Sequence, residues 1–427
     1  GTDYRGRFSY RQGATEMRSS SAVEYSQILF LINRYANILG LKGWAASYLS
    51  KIAGMGDEIL AHLVVCDEFG GAKLIRMCAE ADTNGREYVY FNNNLWAVRG
   101  LKALAGILEK FGERDKAKFY AKQADELLKE IRKTLAAYTV ENQYGSIVPF
   151  RLGYTATPLT LSTCDRLLES LSQEEKEAYK QITWVRDTNT REQDLTENTY
   201  ANYRYYLEML SSMLLDEKQT SSLVRMREAL GGELLGMTRL WSRIDDWPVV
   251  NYARFLLENG YTDKYLLLLY AHTLHHGIPD KMLWFEQVRP NGSVGSADCV
   301  PSLLTAPIML TWMFAYESVE PQQLQLLRTI PKTWFSESFS AHGIGYSNGR
   351  LDLDVTVDAS SVTLSGQSED NAFGLPVVLY TRFKDKLKKE DILKGNNVID
   401  KVFDDRIILK PGISRFSVTI NIRAKSG

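Results

Sequence analysis

The stretch "NLWAVRGLKALAGILEKFGERDKAKFYAKQADELLKEIRKTL", residues 94–135, decides the fold class. Apolar residues recur at three- and four-residue spacing on both sides of a short break, the mark of two amphipathic helices. The break is "EKFGERDK". Gly112 can adopt the left-handed conformation that ends a helix, and Asp115 is an acid suited to the first turn of the next. The stretch is therefore expected to be an αα-hairpin with a short turn.

The same grammar extends from about residue 20 to residue 330. "AVEYSQILFLINRYANIL" has helical spacing, and "LLENGYTDKYLLLL" repeats the hairpin logic with Gly260 as the stop and Thr262 as a cap. Starts of one helix set are expected near Ala22, Asn94, Pro158, Asn198, Asp246 and Asp298, each interval having room for one hairpin. Six hairpins predict a mainly α fold, an (α/α)6 toroid over residues 1–330, with "PQQLQLLRTI" as a short last outer helix. After Pro331 the period changes to two. "RLDLDVTVDA", "SVTLSGQ", "LPVVLYTRF", "DRIILKPG" and "RFSVTINIR" read as strands. Residues 331–427 are expected to form a small antiparallel β-sandwich, with "KDKLKKEDILKG" as a solvated excursion.

Composition narrows the function classes. The 51 basic and 52 acidic residues leave a net charge of −1, so nothing in bulk draws the chain to nucleic acid. No stretch approaches the roughly 20 apolar residues of a membrane span. The sequence carries no signal peptide; an export signal removed ahead of Gly1 would make the protein periplasmic or secreted. Cys66, Cys78, Cys164 and Cys299 form no C-x-x-C pair, and buried free thiols are the simpler expectation than a Cys66–Cys78 disulfide. No metal site and no cofactor are expected. His272 and His276 have ligand spacing on one helix face, but no H-E-x-x-H motif accompanies them, and His276 near a helix end has a structural explanation.

Three helix starts share a composition. "YFNNNLWAV" has three asparagines and Trp96, "TENTYANYRYY" has Glu197, Asn198, Tyr200 and Tyr203, and "IDDWPVVNY" has Asp245, Asp246 and Trp247. One polar residue suffices to cap a helix, so Asn92–Asn94 and Asp245–Asp246 exceed the need. Pro248 suits the first helical turn, and Asp246 or Trp247 is the expected cap. Downstream, "YAHTLHHGIPDKMLWFEQVRPNGSVGSADCVPSLL" holds a long polar loop with Trp284, Glu286 and Arg289. Glu286, between Phe285 and Gln287, is the carboxyl expected to sit in an apolar setting and stay protonated.

These residues resemble the six-hairpin glycosidase superfamily. "FNNNLWAVRGLKALAGILEKFGERDKAKFYAKQADELLKEI" resembles its central hairpin. "IDDWPVVNYARFLLENGYTDKYLLLLYAHTLHHGIPDKMLWFEQV" resembles the late part of bacterial members, where an Asp-Asp-Trp helix start is followed by a His-Gly turn and a loop with a Gly-Glu pair. Glu286 matches the acid, with Phe285 in the place of the glycine. The resemblance covers roughly residues 20–330, and a C-terminal β-sandwich fits it. It implies a carbohydrate substrate. Two-carboxylate hydrolysis would use Glu286 as acid and Asp245 or Asp246 as base, with Glu197 as alternate. Trp96, Tyr200, Trp247 and Trp284 would stack on sugar faces, Asn93, Asn94 and Asn198 would hold hydroxyls, and His276 would lie nearby. Two other readings remain open: a lyase on uronic-acid polymers using Tyr200, Tyr203, Arg204, Asn198 and His275 or His276, and a non-catalytic carbohydrate-binding toroid. Oligomeric state is not legible in the sequence.

Overall fold

The computed structural model describes residues 21–39, 42–79, 87–153, 200–229, 231–240, 243–289, 292–318, 321–347, 349–369 and 372–422. Its helices are α1 (Ala22–Leu39), α2 (Lys42–Ala61), α3 (Phe91–Lys110), α4 (Arg114–Tyr138), α5 (Tyr206–Ser211), α6 (Glu217–Ala229), α7 (Val249–Glu258), α8 (Thr262–His276) and α9 (Val300–Phe314). The expected starts near Ala22, Asn94, Asp246 and Asp298 fall within three residues of the first residues of α1, α3, α7 and α9. Those near Pro158 and Asn198 lie outside the described residues.

The deciding stretch forms the hairpin α3–α4. In α3 every residue from Phe91 to Leu101 is buried, polar ones included, so this helix is enclosed on all sides. In α4 only Ala117, Tyr120, Ala124, Leu127, Ile131, Thr134 and Leu135 are buried, a single stripe at helical spacing. Gly112 at the turn has φ of 79°, and Asp115 occupies the first turn of α4. α1 approaches α3 closely at Gly100, where a Cβ would lie 2.7 Å from the Cα of Ser26. Gly260 (φ 74°) ends the segment before α8. Thr262 is the first residue of α8, and the capping position falls to Tyr261.

The chain divides into two compact units. The first comprises residues 1–36, 40–252 and 286–296, the second residues 37–39, 253–285 and 297–427. The first unit is not purely helical, as the periodicity had led us to expect. Short antiparallel pairs join Leu63–Cys66 to Ala72–Ile75, Met77–Cys78 to Glu87–Tyr88, and Val140–Asn142 to Gly145–Ile147. A four-stranded antiparallel sheet has the order Gln287–Val288, Arg243–Asp245, Met237–Leu240, Glu233–Leu234. Segments of two to four residues are too short to leave a period-two signature, so the sequence hides them.

The second unit contains two five-stranded sheets. One runs Ala315–Ser318, Gln323–Leu326, Val377–Tyr380, Arg406–Leu409, Ile399–Val402, and its pairing of Leu324–Leu326 with Val377–Leu379 is parallel. The other runs Phe339–Tyr346, Gly349–Val357, Ser361–Ser368, Arg415–Asn421, Ile392–Lys394, antiparallel throughout. All five segments read as strands after Pro331 are strands. Leu351, Leu353 and Val355 are buried while Asp354 and Thr356 are exposed, the alternation of a half-buried sheet. Two expectations are corrected. "PQQLQLLRTI" contributes a strand, not a helix, because its alternating Leu324 and Leu326 are both fully buried on one ladder. "KDKLKKEDILKG" is anchored: Leu387 is buried, Lys384 pairs with Asp391 at 3.1 Å, and Ile392–Lys394 is an edge strand.

Candidate active site

Three acidic residues, Asp245, Asp246 and Glu286, meet in the first unit where Arg243–Asp245 pairs with Gln287–Val288. The ladder pairs Gln287 with Asp245 and Val288 with Ile244. Just beyond it, the Asp246 N–H donates to the Glu286 carbonyl at 3.1 Å, which sets Asp246 opposite Glu286. Asp245 and Asp246 are buried, and Glu286 is half-buried.

The opening of α7 answers the question of the double aspartate in part. Asp245 Oδ1 accepts the Trp247 N–H at 3.1 Å and so caps the turn that leads into the helix. The Tyr203 hydroxyl donates to the same oxygen. Burial pushes the Asp245 carboxyl up to about 6; the Tyr203 and Trp247 bonds oppose that rise, the negative charge of Glu286 adds to it, and Arg243 opposes it. Asp245 is thus a carboxyl whose burial favours its protonated form. Tyr203 is itself pushed well above the usual phenol range, first by burial and then by the charge of Asp245, so its proton stays on.

Tyr203 is aimed by an irregular backbone. Residues Ala201–Tyr205 form a π-helical turn leading into α5, a geometry frequent at functional sites. Next to it Arg204 donates through Nε to Glu208 Oε1 at 2.7 Å and lies 3.5 Å from Glu24. Asn92 donates to Glu208 Oε2 at 2.7 Å, and Trp96 Nε1 donates to the Glu208 carbonyl at 2.8 Å. Glu208 is the residue that the sequence reading missed. Its one signal was a lone acid four residues after Arg204 in the otherwise apolar run "YYLEML".

Several expected ligand residues have other work. Asn93 accepts from the Val23 N–H and the Ser21 hydroxyl and donates to the Cys78 carbonyl. Asn94 accepts from the Ile75 N–H and donates to the Ile75 and Tyr90 carbonyls. Both amides are fully buried and pin the start of α3 to neighbouring backbone, so neither presents itself to a sugar hydroxyl. Trp96 is buried edge-on against Phe30, so its ring is core and not a stacking platform. Trp247 does keep an open face: it is 41% exposed, with the Arg204 guanidinium over its ring, 5.8 Å from the centroid. Tyr200 is half-buried and meets Tyr203 edge-on. Glu197 and Asn198 lie outside the described residues.

Trp284 and His276 belong to the second unit and are both buried. The Trp284 ring stacks on His272, 5.4 Å between centroids, and His272 stacks on His276 at 5.3 Å. Burial holds both imidazoles neutral, His272 down to about 3 with help from His276, and His276 down to about 4 against the pull of its bond to the Phe285 carbonyl. Among the described residues no group of three or more His, Cys, Asp or Glu side chains is placed to hold a metal ion. Cys66, Cys78 and Cys299 are free thiols, and no described helix is long and apolar enough to cross a membrane.

No protein-family model matches the chain, and no curated protein does. Solved structures do. The α-L-rhamnosidase of Streptomyces avermitilis, complexed with L-rhamnose, is similar over 97% of this chain and 35% of its own, with 11% identity and a TM-score of 0.52. The α-L-rhamnosidase of Dictyoglumus thermophilum is similar over 93% of this chain and 39% of its own, with 9% identity and a TM-score of 0.48. The chain spans little more than a third of the length of either structure. At such identity the likeness is one of fold: nearly the whole of this chain is arranged like part of the Streptomyces α-L-rhamnosidase.

Proposed function

We propose that this chain is a glycoside hydrolase domain whose carboxyl pair is Asp245 and Glu286. The reading rests above all on the Asp245 carboxyl, buried and raised to about 6 beside the charge of Glu286. Glycoside hydrolysis needs one carboxyl that holds a proton for the leaving oxygen and one that is ionised to attack or to activate water. A carboxyl whose burial favours the protonated form, next to a second carboxyl, fits that need. In this reading Asp245 is the proton donor and Glu286 supplies the second carboxyl. Tyr203 keeps Asp245 oriented from Oδ1, and Asp246 adds a third carboxyl opposite Glu286. Trp247 offers its open face to a sugar ring.

The fold likeness to an α-L-rhamnosidase makes a deoxyhexose glycoside the first substrate to try. The wider architecture that goes with this proposal is the toroid of helical hairpins expected over residues 1–330 and the β-sandwich expected over residues 331–427, with the β-region starting earlier, at Ala315–Ser318 and Gln323–Leu326. A lyase reading is less favoured, because Arg204, the cation it would use to neutralise a uronate, is already held between Glu208 and Glu24.

The test is turnover of 4-nitrophenyl glycosides, α-L-rhamnoside first, by the wild type, Asp245→Asn and Glu286→Gln. Each substitution is expected to lower kcat by at least ~10²-fold. Equal turnover in all three would overturn the assignment. A product absorbing in the near ultraviolet from a uronic-acid polymer would establish the lyase, and sugar binding without turnover the non-catalytic toroid.

A further inference from the structure

The peptide that carries Glu286 has an unusual support. The Phe285 carbonyl accepts two hydrogen bonds, from His276 Nδ1 at 2.7 Å and from the Ser302 hydroxyl at 3.0 Å. The Phe285 N–H donates back to the His276 carbonyl at 2.9 Å. Ser302 in turn meets His272 Nε2 at 3.3 Å. On the far side of the same peptide, the Glu286 N–H donates to the Ser296 carbonyl at 3.0 Å.

These contacts fix the tautomers. A carbonyl oxygen only accepts, so His276 carries its proton on Nδ1. The Ser302 proton points at the same carbonyl, so its oxygen is the acceptor for His272, which carries its proton on Nε2. The two stacked rings therefore hold opposite tautomers. The nitrogens left bare, His276 Nε2 and His272 Nδ1, are the two that are buried with no hydrogen-bond partner, which supports the assignment because a buried lone pair is less costly than a buried orphan N–H. The helix spacing of His272 and His276 that suggested metal ligation thus has a different use. Room for the stack comes from Gly277, where a Cβ would lie 2.6 Å from the Trp284 ring.

We propose that His276 and Ser302 are positioning residues for the Glu286 carboxylate: by clamping the Phe285 carbonyl from two sides they fix the plane of the Phe285–Glu286 peptide, and His272, through Ser302, orients the second donor. The proposal rests on the assignment of Glu286 made above. Where the resemblance has a flexible glycine, this chain has Phe285 and a doubly bonded carbonyl. A side chain held on a rigid peptide pre-pays the orientation that catalysis requires.

Two measurements separate this proposal from that assignment. In full-length protein labelled with 15N-histidine, NMR at pH 7 is expected to show Nδ1–H for His276 and Nε2–H for His272; the reverse pattern overturns the clamp whatever the activity. The second uses His276→Leu, which removes the donor, and His276→Asn, whose amide places an N–H at the Nδ1 position. The Leu variant is expected to lower kcat on the order of 10²-fold with KM unchanged and to speed exchange of the Glu286 amide, and the Asn variant to recover most of both. Equal losses in the two variants, or Glu286 exchange unmoved in both, refute positioning. Ser302→Ala serves if the Leu variant does not fold; it is expected to shift kcat and Glu286 exchange in the same directions by less, and no shift in either refutes the clamp. Absent wild-type turnover sinks the hydrolase reading, and the tautomers and exchange contrast still decide the clamp.

Discussion

On the proposed reading, replacing Asp245 by Asn is expected to lower turnover and to strengthen the fold. The carboxyl is about 6 in the folded chain and near 3.8 when solvated, a gap of a little over two units. At 1.36 kcal/mol per unit, holding this carboxylate ionised in its buried position costs about 3 kcal/mol of stability at pH 7 to 8. The sign follows from proton counting. Between pH 4 and 6 the folded state binds more protons at this site than the unfolded state, so the wild type loses stability as pH rises through that window. Asn keeps an oxygen where Oδ1 accepts from Tyr203 and Trp247, and it cannot ionise. The gain of Asp245→Asn should therefore approach about 3 kcal/mol at pH 7.5, shrink as pH falls below 6, and vanish near pH 4. Urea unfolding of both proteins at pH 4.5, 6 and 7.5, with m held equal, reads it. A variant less stable than wild type at pH 7.5, or a difference that does not change with pH, would show that Asp245 is an ordinary ionised cap.

Other expectations follow from the geometry. His272 and His276 are neutral when folded and near 6.5 when unfolded, so they oppose folding increasingly as pH drops from 6.5 towards 4; His272→Gln should flatten that acid loss in urea midpoints measured at pH 4.5 and 7. Trp247→Ala should raise KM for a glycoside about tenfold through the lost stacking face, with unfolding midpoints nearly unchanged. Asn93→Ala removes three buried bonds and should cost about 2–4 kcal/mol in denaturant unfolding while leaving KM alone. Gly277→Ala should cost about 1–3 kcal/mol, because the Trp284 ring must leave its stack on His272.

What the sequence made legible was local. The α3–α4 hairpin is written in its three- and four-residue spacing and in Gly112, and the strand at Gly349–Val357 in its alternation. The polar surplus at Asn92–Asn94 was visible too, but not its use: Asn92 binds the Glu208 carboxylate, and Asn93 and Asn94 bind the backbone of Val23, Cys78 and Ile75, partners that no local pattern names. The double aspartate was read as cap or chemistry, and Asp245 is suited to both, since the oxygen that caps Trp247 belongs to the carboxyl that burial raises. Tyr203 reaches Asp245 from a π turn and Glu208 holds Arg204 from the helix that follows, and neither leaves a periodic trace. Gln323–Leu326 was misread because four residues of alternating Gln and Leu fit both a strand and one turn of helix.

The parallel pairing of Leu324–Leu326 with Val377–Leu379 bears on how this protein could be rearranged by evolution or by an engineer. A C-terminal β-domain joined by a single linker can be exchanged between genes as a cassette. Here the sheet takes its first two strands, Ala315–Ser318 and Gln323–Leu326, from the chain that directly follows α9, and the second of them is flanked on both sides. A recombination point at Pro331 would strip Val377–Tyr380 of a neighbour and expose its N–H and C=O groups as a raw edge, open to pairing with other molecules. Transplanting the β-region intact requires carrying Ala315–Leu326 along, so the splice that keeps the sheet whole lies ahead of Ala315, upstream of the place where the sequence changes its period.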